Sequence, residues 1–399
     1  MCGVPWRTSR HCGRCDTVHS ALLIIGSGPA GVAAAEAFRE HQTEGAIRIL
    51  TADPEPPYAR PPLSKEFLRG SNDDIALHPP SWYAERTIEL ITGAHVDAVD
   101  VNAKTVLVAD QRHTYDSLVI ATGSGPTPLP VPGGEQAYRL RSAEDARALR
   151  NAAVAAGSAV VVGAGFIGCE AAASLAAQGI SVTLVAPDPA PQVKRLGPDA
   201  GARLRELVER TGVKYLPDAK VAAVHPGSVA LEDGTELAAD LVLAATGVSP
   251  HSSVAEAAGL EIRDSRIVVG SDMRTSAPDV YAAGDVAVAF NDTAGRHVAV
   301  EHWQDAEDQG RIAGTVAAGG DSRWDSVPGF WTSIGDADVK YQAWGDGFTD
   351  AVLVEHGGGF TVWYTDDAGN TVGVLTYQAD EDYESGGQLV AQHAPPVHQ

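Results

Sequence analysis

A short apolar run, Ala21–Ile25, enters the glycine-rich hexapeptide Gly26–Gly31. The Ala-rich stretch Val32–Glu40 then repeats its apolar positions with a helical period, and a second apolar run follows at Ile47–Leu50. This predicts strand, turn, helix, strand. The same order returns at Ala159–Val162, Gly163–Gly168, Cys169–Ala177 and Ser181–Val185, with 137 residues separating Gly26 from Gly163. Two copies of one βαβ unit imply two doubly wound domains. Thr105–Val108 and Ser117–Ile120 add β structure between them, and each copy is followed by a similar tripeptide, Ala121-Thr122-Gly123 and Ala245-Thr246-Gly247.

From about Asp321 the pattern changes. Helical periodicity fades, strand-like runs appear at Phe360–Tyr364 and Thr371–Tyr377, four tryptophans occur (Trp324, Trp331, Trp344, Trp363), and a polar tail follows Asp380. The expected fold class is α/β: two Rossmann-like dinucleotide-binding domains and a C-terminal α+β domain of mainly antiparallel strands. The expected boundaries are a poorly ordered extension at 1–20, a discontinuous first domain at 21–136 and 254–322, a second domain at 137–253, and a third at 323–399.

Length and charge narrow the reading. The chain has 399 residues, 44% hydrophobic, with 29 Lys+Arg against 52 Asp+Glu for a net charge of −23. That balance argues against nucleic-acid binding and against docking on anionic membrane. No apolar run reaches the roughly 18 residues of a spanning helix. Four cysteines suit a reducing compartment, and the cytoplasm is expected. Met1–Ser20 carries Arg7, Arg10 and Arg14 but no apolar core, so it is not a secretory signal. Cys2, His11, Cys12, Cys15 and His19 lack the second ligand pair of an ordered zinc knuckle, and no metal is expected.

Each glycine turn has a mechanism. The first glycine (Gly26, Gly163) permits the tight turn, and the second (Gly28, Gly165) lets backbone N–H groups approach a pyrophosphate. The third (Gly31, Gly168) brings helix and strand together, with the phosphate at the helix N-terminus. Two such sites in one chain suggest one bound flavin and one exchangeable nicotinamide. The ribose-binding acid expected about 20 residues on is displaced in both copies. Asp53 follows Ala52 in the first. In the second, Ala186 stands at the strand end, leaving Asp188 as a ribose ligand or a solvated turn residue, or Lys194 and Arg195 for a 2′-phosphate. NADH and NADPH both remain open.

Pro57-Tyr58-Ala59-Arg60-Pro61-Pro62-Leu63-Ser64-Lys65 resembles the signature after the first βαβ unit in ferredoxin-reductase-like flavoproteins. These are the FAD-containing reductases of ferredoxin, rubredoxin and putidaredoxin, a branch of the pyridine nucleotide-disulfide oxidoreductases with glutathione-reductase-like architecture, and apoptosis-inducing factor is similar. Ala121-Thr122-Gly123, Ala245-Thr246-Gly247, Ala283-Gly284-Asp285, Val300-Glu301-His302-Trp303 and Phe330-Trp331 extend the resemblance over most of the chain. It implies FAD held by Gly26, Gly28, Pro29, Ala30, Gly31, Asp53, Arg60, Val96, Ala121, Thr122, Gly123, Gly284 and Asp285. Trp303 and Trp331 are implied to flank the ring, and Lys65 to reach flavin N5, oriented and kept charged by Glu170. NADH or NADPH is implied at Gly163, Gly165, Phe166, Ile167, Gly168, Glu170, Asp188, Gly247, Glu301 and His302, with Phe166 as a gate. Read from the residues alone, Lys65 is a solvated lysine and Glu170 a helix-start acid favoured by the dipole, while for Asp285 a helix N-cap is the lesser alternative to a hydroxyl-binding carboxylate.

The resemblance implies electron transfer from NAD(P)H through flavin to a small iron–sulfur protein, by a monomer or homodimer. The alternatives are a redox-sensing protein similar to apoptosis-inducing factor and a reductase of quinone or oxygen. An acidic ferredoxin needs a basic patch, and Arg139, Arg141, Arg147 and Arg150 are the candidates. The segment from Tyr341 onward has no Lys or Arg. No cysteine lies between Cys15 and Cys169, which excludes disulfide chemistry after the first βαβ unit. Cys169, at a helix start, is either a lowered-pKa thiol or a buried small apolar residue.

Overall fold

The computed structural model describes residues 17–396. Residues 1–16 of the extension expected at 1–20, with its cysteines, lie outside the described residues. Residues 18–20 do not belong to such an extension. The first strand begins at Val18, three residues earlier than the apolar run suggests, and pairs with the strand Gln111–Ile120 from Val18↔His113 onward. His19 and Ser20 are fixed there by Arg48, which donates to the His19 carbonyl and to Ser20 Oγ.

Four parallel strands, Ile88–Ile91, Ile47–Leu50, Val18–Ile25 and Gln111–Ile120, form the heart of the first sheet. Thr105–Val108 and Ala98–Asp100 extend it antiparallel, and Val280–Ala282 returns from far along the chain to pair parallel with Gln111–Ile120. A second parallel sheet has the order Lys214–Leu216, Ser181–Val185, Ser158–Val162, Leu241–Ala244. Both connections between these units pass through one small ladder, Ser124–Pro126 against Val248–Pro250. Five antiparallel strands make the last sheet, in the order Gly329–Ile334, Ala337–Ala343, Thr371–Tyr377, Phe360–Thr365, Asp350–Glu355.

The two glycine turns repeat each other in three dimensions. Gly26 and Gly163 have φ of 109° and 106°, and a Cβ there would sit 2.1 Å from the Ala121 carbonyl oxygen and 2.3 Å from that of Ala245. Only glycine fits. A further close approach went unread in the sequence. Gly310 and Gly314, on the helix Trp303–Ala317, lie against Ala30 and Ala34 of the helix Pro29–His41, where an added Cβ would be 2.1 and 2.2 Å from their carbonyl oxygens. This contact carries the Trp303 end of the later helix onto the first turn.

Two sequence readings need correction. The polar tail after Asp380 is the helix Asp380–Gln392. Its first turn is acidic, which the helix dipole favours, and its packed face is Gly386, Gly387 and Val390, too small to register as an apolar stripe. Trp324, placed with the third domain, is buried in the core of the first, its backbone N–H bonded to the Ser271 carbonyl at 2.8 Å. Among the described residues no helix is long and apolar enough to cross a membrane.

Candidate active site

One cavity of about 1140 Å³ runs across both glycine turns. From the first unit Gly26, Gly28, Pro29, Ala30, Asp53, Arg60, Val96, Ala121, Thr122 and Gly123 line it, and Gly284, Asp285, Glu301, His302 and Trp303 reach it from the returning segment. Gly165, Phe166, Ile167, Gly168, Glu170 and Gly247 line it from the second unit, and Trp331 from the last sheet. Gly31, Lys65, Gly163 and Asp188 are not on its wall. Gly31 and Gly168 lie beneath their turns, where a Cβ would meet the carbonyl oxygens of Gly26 and Gly163, each at 2.1 Å. At Gly28 an added Cβ meets nothing within 4 Å, and at Gly165 only the Gln192 amide, at 3.8 Å. The second glycine of each turn thus opens onto free space at a helix N-terminus, as a diphosphate requires.

Lys65 stands behind the wall and is 7% exposed, so it is not a solvated lysine. Its ammonium donates to Glu170 Oε2 at 3.0 Å and to the Pro61 carbonyl at 2.8 Å. Ser64 Oγ donates to the same Glu170 oxygen at 2.5 Å. Thr332 Oγ1, at 2.7 Å, and the Ser333 N–H, at 3.2 Å, donate to the other. Glu170 therefore receives four donors, two on each oxygen.

Asp285 precedes the strand Ala287–Asn291 and caps no helix. Its Oδ2 accepts from Ser124 Oγ at 2.6 Å and Arg141 Nη2 at 2.7 Å, which leaves Oδ1 for a ligand hydroxyl. The Gly284 N–H donates to Gln309 Oε1, a buried side chain on the helix packed over the first turn. Arg60 lines the cavity with no carboxylate at ion-pair distance among the described residues, and it donates to the Arg141 carbonyl at 3.3 Å. Burial, and then the neighbouring Arg141, lower its pKa. A cation so placed fits an anionic group such as the FAD pyrophosphate.

The displaced ribose acids are otherwise engaged. Asp53 Oδ1 accepts the Glu55 N–H at 3.0 Å and Oδ2 the Tyr58 hydroxyl at 2.6 Å, so the carboxylate serves its own loop. Asp188 pairs with Lys194, which is 78% exposed, at 2.7 Å, and neither lines the cavity, whereas Arg195 does. Glu301 is held by Arg266, and His302 Nδ1 lies 2.9 Å from Asp305 Oδ2 with both side chains buried. Phe166 packs edge-on against Phe330, with ring centroids 4.8 Å apart. Trp331 lines the cavity and is 54% exposed. Cys169 is buried, and burial pushes its thiol up to about 12, which settles it as an unreactive apolar residue.

The arginine patch is also corrected. Arg141 faces inward onto Asp285, and Arg147 and Arg150 are paired with Glu55 and Asp73. Ser64, Ser124, Thr332 and Gln309 were missed as site residues. Ser64 lies inside the proline-rich signature and Thr332 directly follows Trp331. Neither has a signal of its own, since each finds its partner across more than 100 residues.

The family described as "Pyridine nucleotide-disulphide oxidoreductase" matches residues 20–310. The chain belongs to this family. It is 34% identical over 390 residues to the ferredoxin–NAD(+) reductase component of an anthranilate 1,2-dioxygenase system from Burkholderia cepacia, covering 94% of this chain and 95% of that one. It is also 34% identical over 347 residues to apoptosis-inducing factor 3 of Mus musculus, covering 83% of this chain and 56% of that protein. A solved structure of a covalent putidaredoxin reductase–putidaredoxin complex superposes with a TM-score of 0.89 at 30% identity, covering 95% of this chain. As a family member the chain is an FAD flavoprotein that uses a nicotinamide nucleotide. No cysteine lies between Cys15 and Cys169 to perform the disulphide chemistry of the family's description after the first βαβ unit.

Proposed function

We infer that the protein is an FAD-dependent oxidoreductase that takes hydride from NAD(P)H and passes single electrons to a small iron–sulfur protein of the ferredoxin or rubredoxin type. The observation that carries the reading is the buried Lys65–Glu170 pair, held where the two glycine-turn units and the last sheet meet beside one shared cavity. FAD, when bound, supplies acceptance of a hydride and its release as single electrons. Gly26, Gly28 and Gly31 with the helix start at Pro29 hold its pyrophosphate, Arg60 neutralises that charge, and Asp285 takes a ribityl hydroxyl. Lys65 fixes an ammonium against the negative charge that hydride delivery brings, and Glu170 orients it. Gly163, Gly165 and Gly168 seat the nicotinamide nucleotide's pyrophosphate, with Phe166 between the two sites. In this reading residues 21–136 and 254–322 carry FAD and 137–253 carry NAD(P)H. Four cysteines in the chain support a reducing, cytoplasmic location.

Anaerobic stopped-flow bleaching of the bound flavin by NADH and NADPH tests the proposal, followed by reduction of ferredoxin- and rubredoxin-type acceptors. Bleaching on the timescale of turnover supports it; a protein that takes up no FAD overturns it. The state of the arginine patch favours a second reading. With Arg141 turned inward and Arg147 and Arg150 already paired, Arg139, which lines the cavity and has no ion pair among the described residues, is the one candidate of the four left free for an acidic partner. Slow bleaching with a long-lived charge-transfer band is the signature of that alternative, a redox-sensing protein similar to apoptosis-inducing factor.

A further inference from the structure

The strand Gly329–Ile334 meets the helix Phe166–Ala176 in register. Phe330 packs on Phe166, and Thr332 bonds to Glu170. The spacing explains why both contacts form at once. Residues two apart on a strand share a face about 6.6 Å apart, and residues four apart on a helix share a face about 6 Å apart. Trp331, between them, points the other way and is 54% exposed. A single strand thus touches the aromatic side chain between the nucleotide sites and the carboxylate behind the flavin site.

Thr332 is 1% exposed, and its hydroxyl lies 2.7 Å from Glu170 Oε1. The oxygen it holds is not the one that accepts from Lys65. With Oε1 fixed from the last sheet, the carboxylate cannot rotate, and Oε2 must stay where Ser64 and Lys65 meet it. Lys65 spends two of its three N–H groups on Glu170 and Pro61, so its ammonium position depends on where that carboxylate stands.

We propose that Thr332 is a positioning residue for hydride transfer: the C-terminal sheet supplies the hydroxyl that fixes Glu170, and Glu170 fixes the Lys65 ammonium. The proposal rests on the functional reading above. The test uses the FAD-loaded enzyme with Thr332→Val and Thr332→Ser. In Thr332→Val the limiting rate of flavin bleaching falls about tenfold while the nucleotide Kd stays within about twofold, and Thr332→Ser recovers to within about threefold of the parent. A thermal double-mutant cycle gives a readout independent of activity. The loss of midpoint caused by Thr332→Val shrinks by about half in a Glu170→Gln background, because a bond to a neutral amide is weaker than one to a carboxylate.

A Thr332→Val enzyme that bleaches at the parent rate overturns the proposal. So does a serine variant as slow as the valine one, which marks a packing role, and so does a cycle without coupling. A parent enzyme bleached by neither nucleotide overturns the functional reading and the positioning role with it, whatever the cycle shows.

Discussion

Removing the two members of the Lys65–Glu170 pair one at a time has unequal costs. In Lys65→Met the carboxylate keeps three of its four donors: Ser64 Oγ, Thr332 Oγ1 and the Ser333 N–H. The lost contacts are two charge-assisted hydrogen bonds, to Glu170 and to the Pro61 carbonyl, each about 1.5–3 kcal/mol. In Glu170→Leu the ammonium keeps only the Pro61 carbonyl, and Ser64, Thr332 and the Ser333 N–H all lose their acceptor. Leaving a buried charge without its partner costs about 3–5 kcal/mol, and the three orphaned donors add about 1–3 kcal/mol each. Both substitutions remove the oriented cation, so flavin bleaching slows by about 10²–10³ in each, the scale seen when one preorganised donor is deleted. The assay is urea unfolding followed by circular dichroism with FAD in fixed excess, paired with stopped-flow bleaching. The two variants share a kinetic defect but differ in stability, with Glu170→Leu the weaker by several kcal/mol. A Lys65→Met protein as unstable as Glu170→Leu would refute the count of donors on which the argument rests.

Gly310→Ala forces a methyl to within 2.1 Å of the Ala30 carbonyl oxygen. Overpacking of about 3 kcal/mol against a helix-propensity gain of about 1 leaves a net loss near 2 kcal/mol, read as a lower unfolding midpoint and weaker FAD retention. Stability should fall with rising alkalinity, because burial raises Tyr58, Tyr115 and Tyr341 to about 12. Each releases its proton in the unfolded chain near pH 10 but not in the folded one. Their contribution is therefore whole below pH 10 and lost as pH climbs toward 12, and urea midpoints at pH 8, 10 and 11 check the sign. Cys169 should resist thiol reagents in the native state and react fully in denaturant, since its thiol is buried and titrates at about 12. With Ala186 at the strand end and Asp188 tied to Lys194, no free carboxylate repels a 2′-phosphate there, so kcat/KM for NADH and NADPH should agree within about tenfold; a preference for NADH beyond about a hundredfold contradicts this.

What could be read in the sequence was local. Gly26–Gly31 and Gly163–Gly168 announce themselves because strand, turn and helix lie side by side in the chain, and Thr371–Tyr377 is a strand with the bounds its alternation predicts. The site beyond the turns was legible only through the resemblance. Lys65 and Glu170 are 105 residues apart, and their pairing leaves no periodicity to detect. Arg141 illustrates the limit from the other side: in a row of arginines it reads as surface charge, yet it bonds a carboxylate 144 residues away. The helix Asp380–Gln392 hid because glycine makes its packed face. Asp188 was a fair candidate by spacing, and the structure gives it to Lys194 because nothing in a spacing rule counts competing cations.

The two turns also bear on which nucleotide stays and which exchanges. Their inner geometry is the same, with matching φ at Gly26 and Gly163 and equal close approaches beneath Gly31 and Gly168, so the turn itself cannot distinguish a resident cofactor from a passing one. What differs is the cover. Over the first turn lies the helix Trp303–Ala317, whose Gly310 abuts Ala30 and whose Gln309 ties down the Gly284 N–H beside Asp285. The segment packed beside that turn joins the fold some 280 residues after it. The second turn has Gln192 as the nearest group to Gly165, at 3.8 Å, and its Ile167 is 39% exposed. The duplicated unit supplies two equal turns, and the return of the chain packs a helix against the first of them.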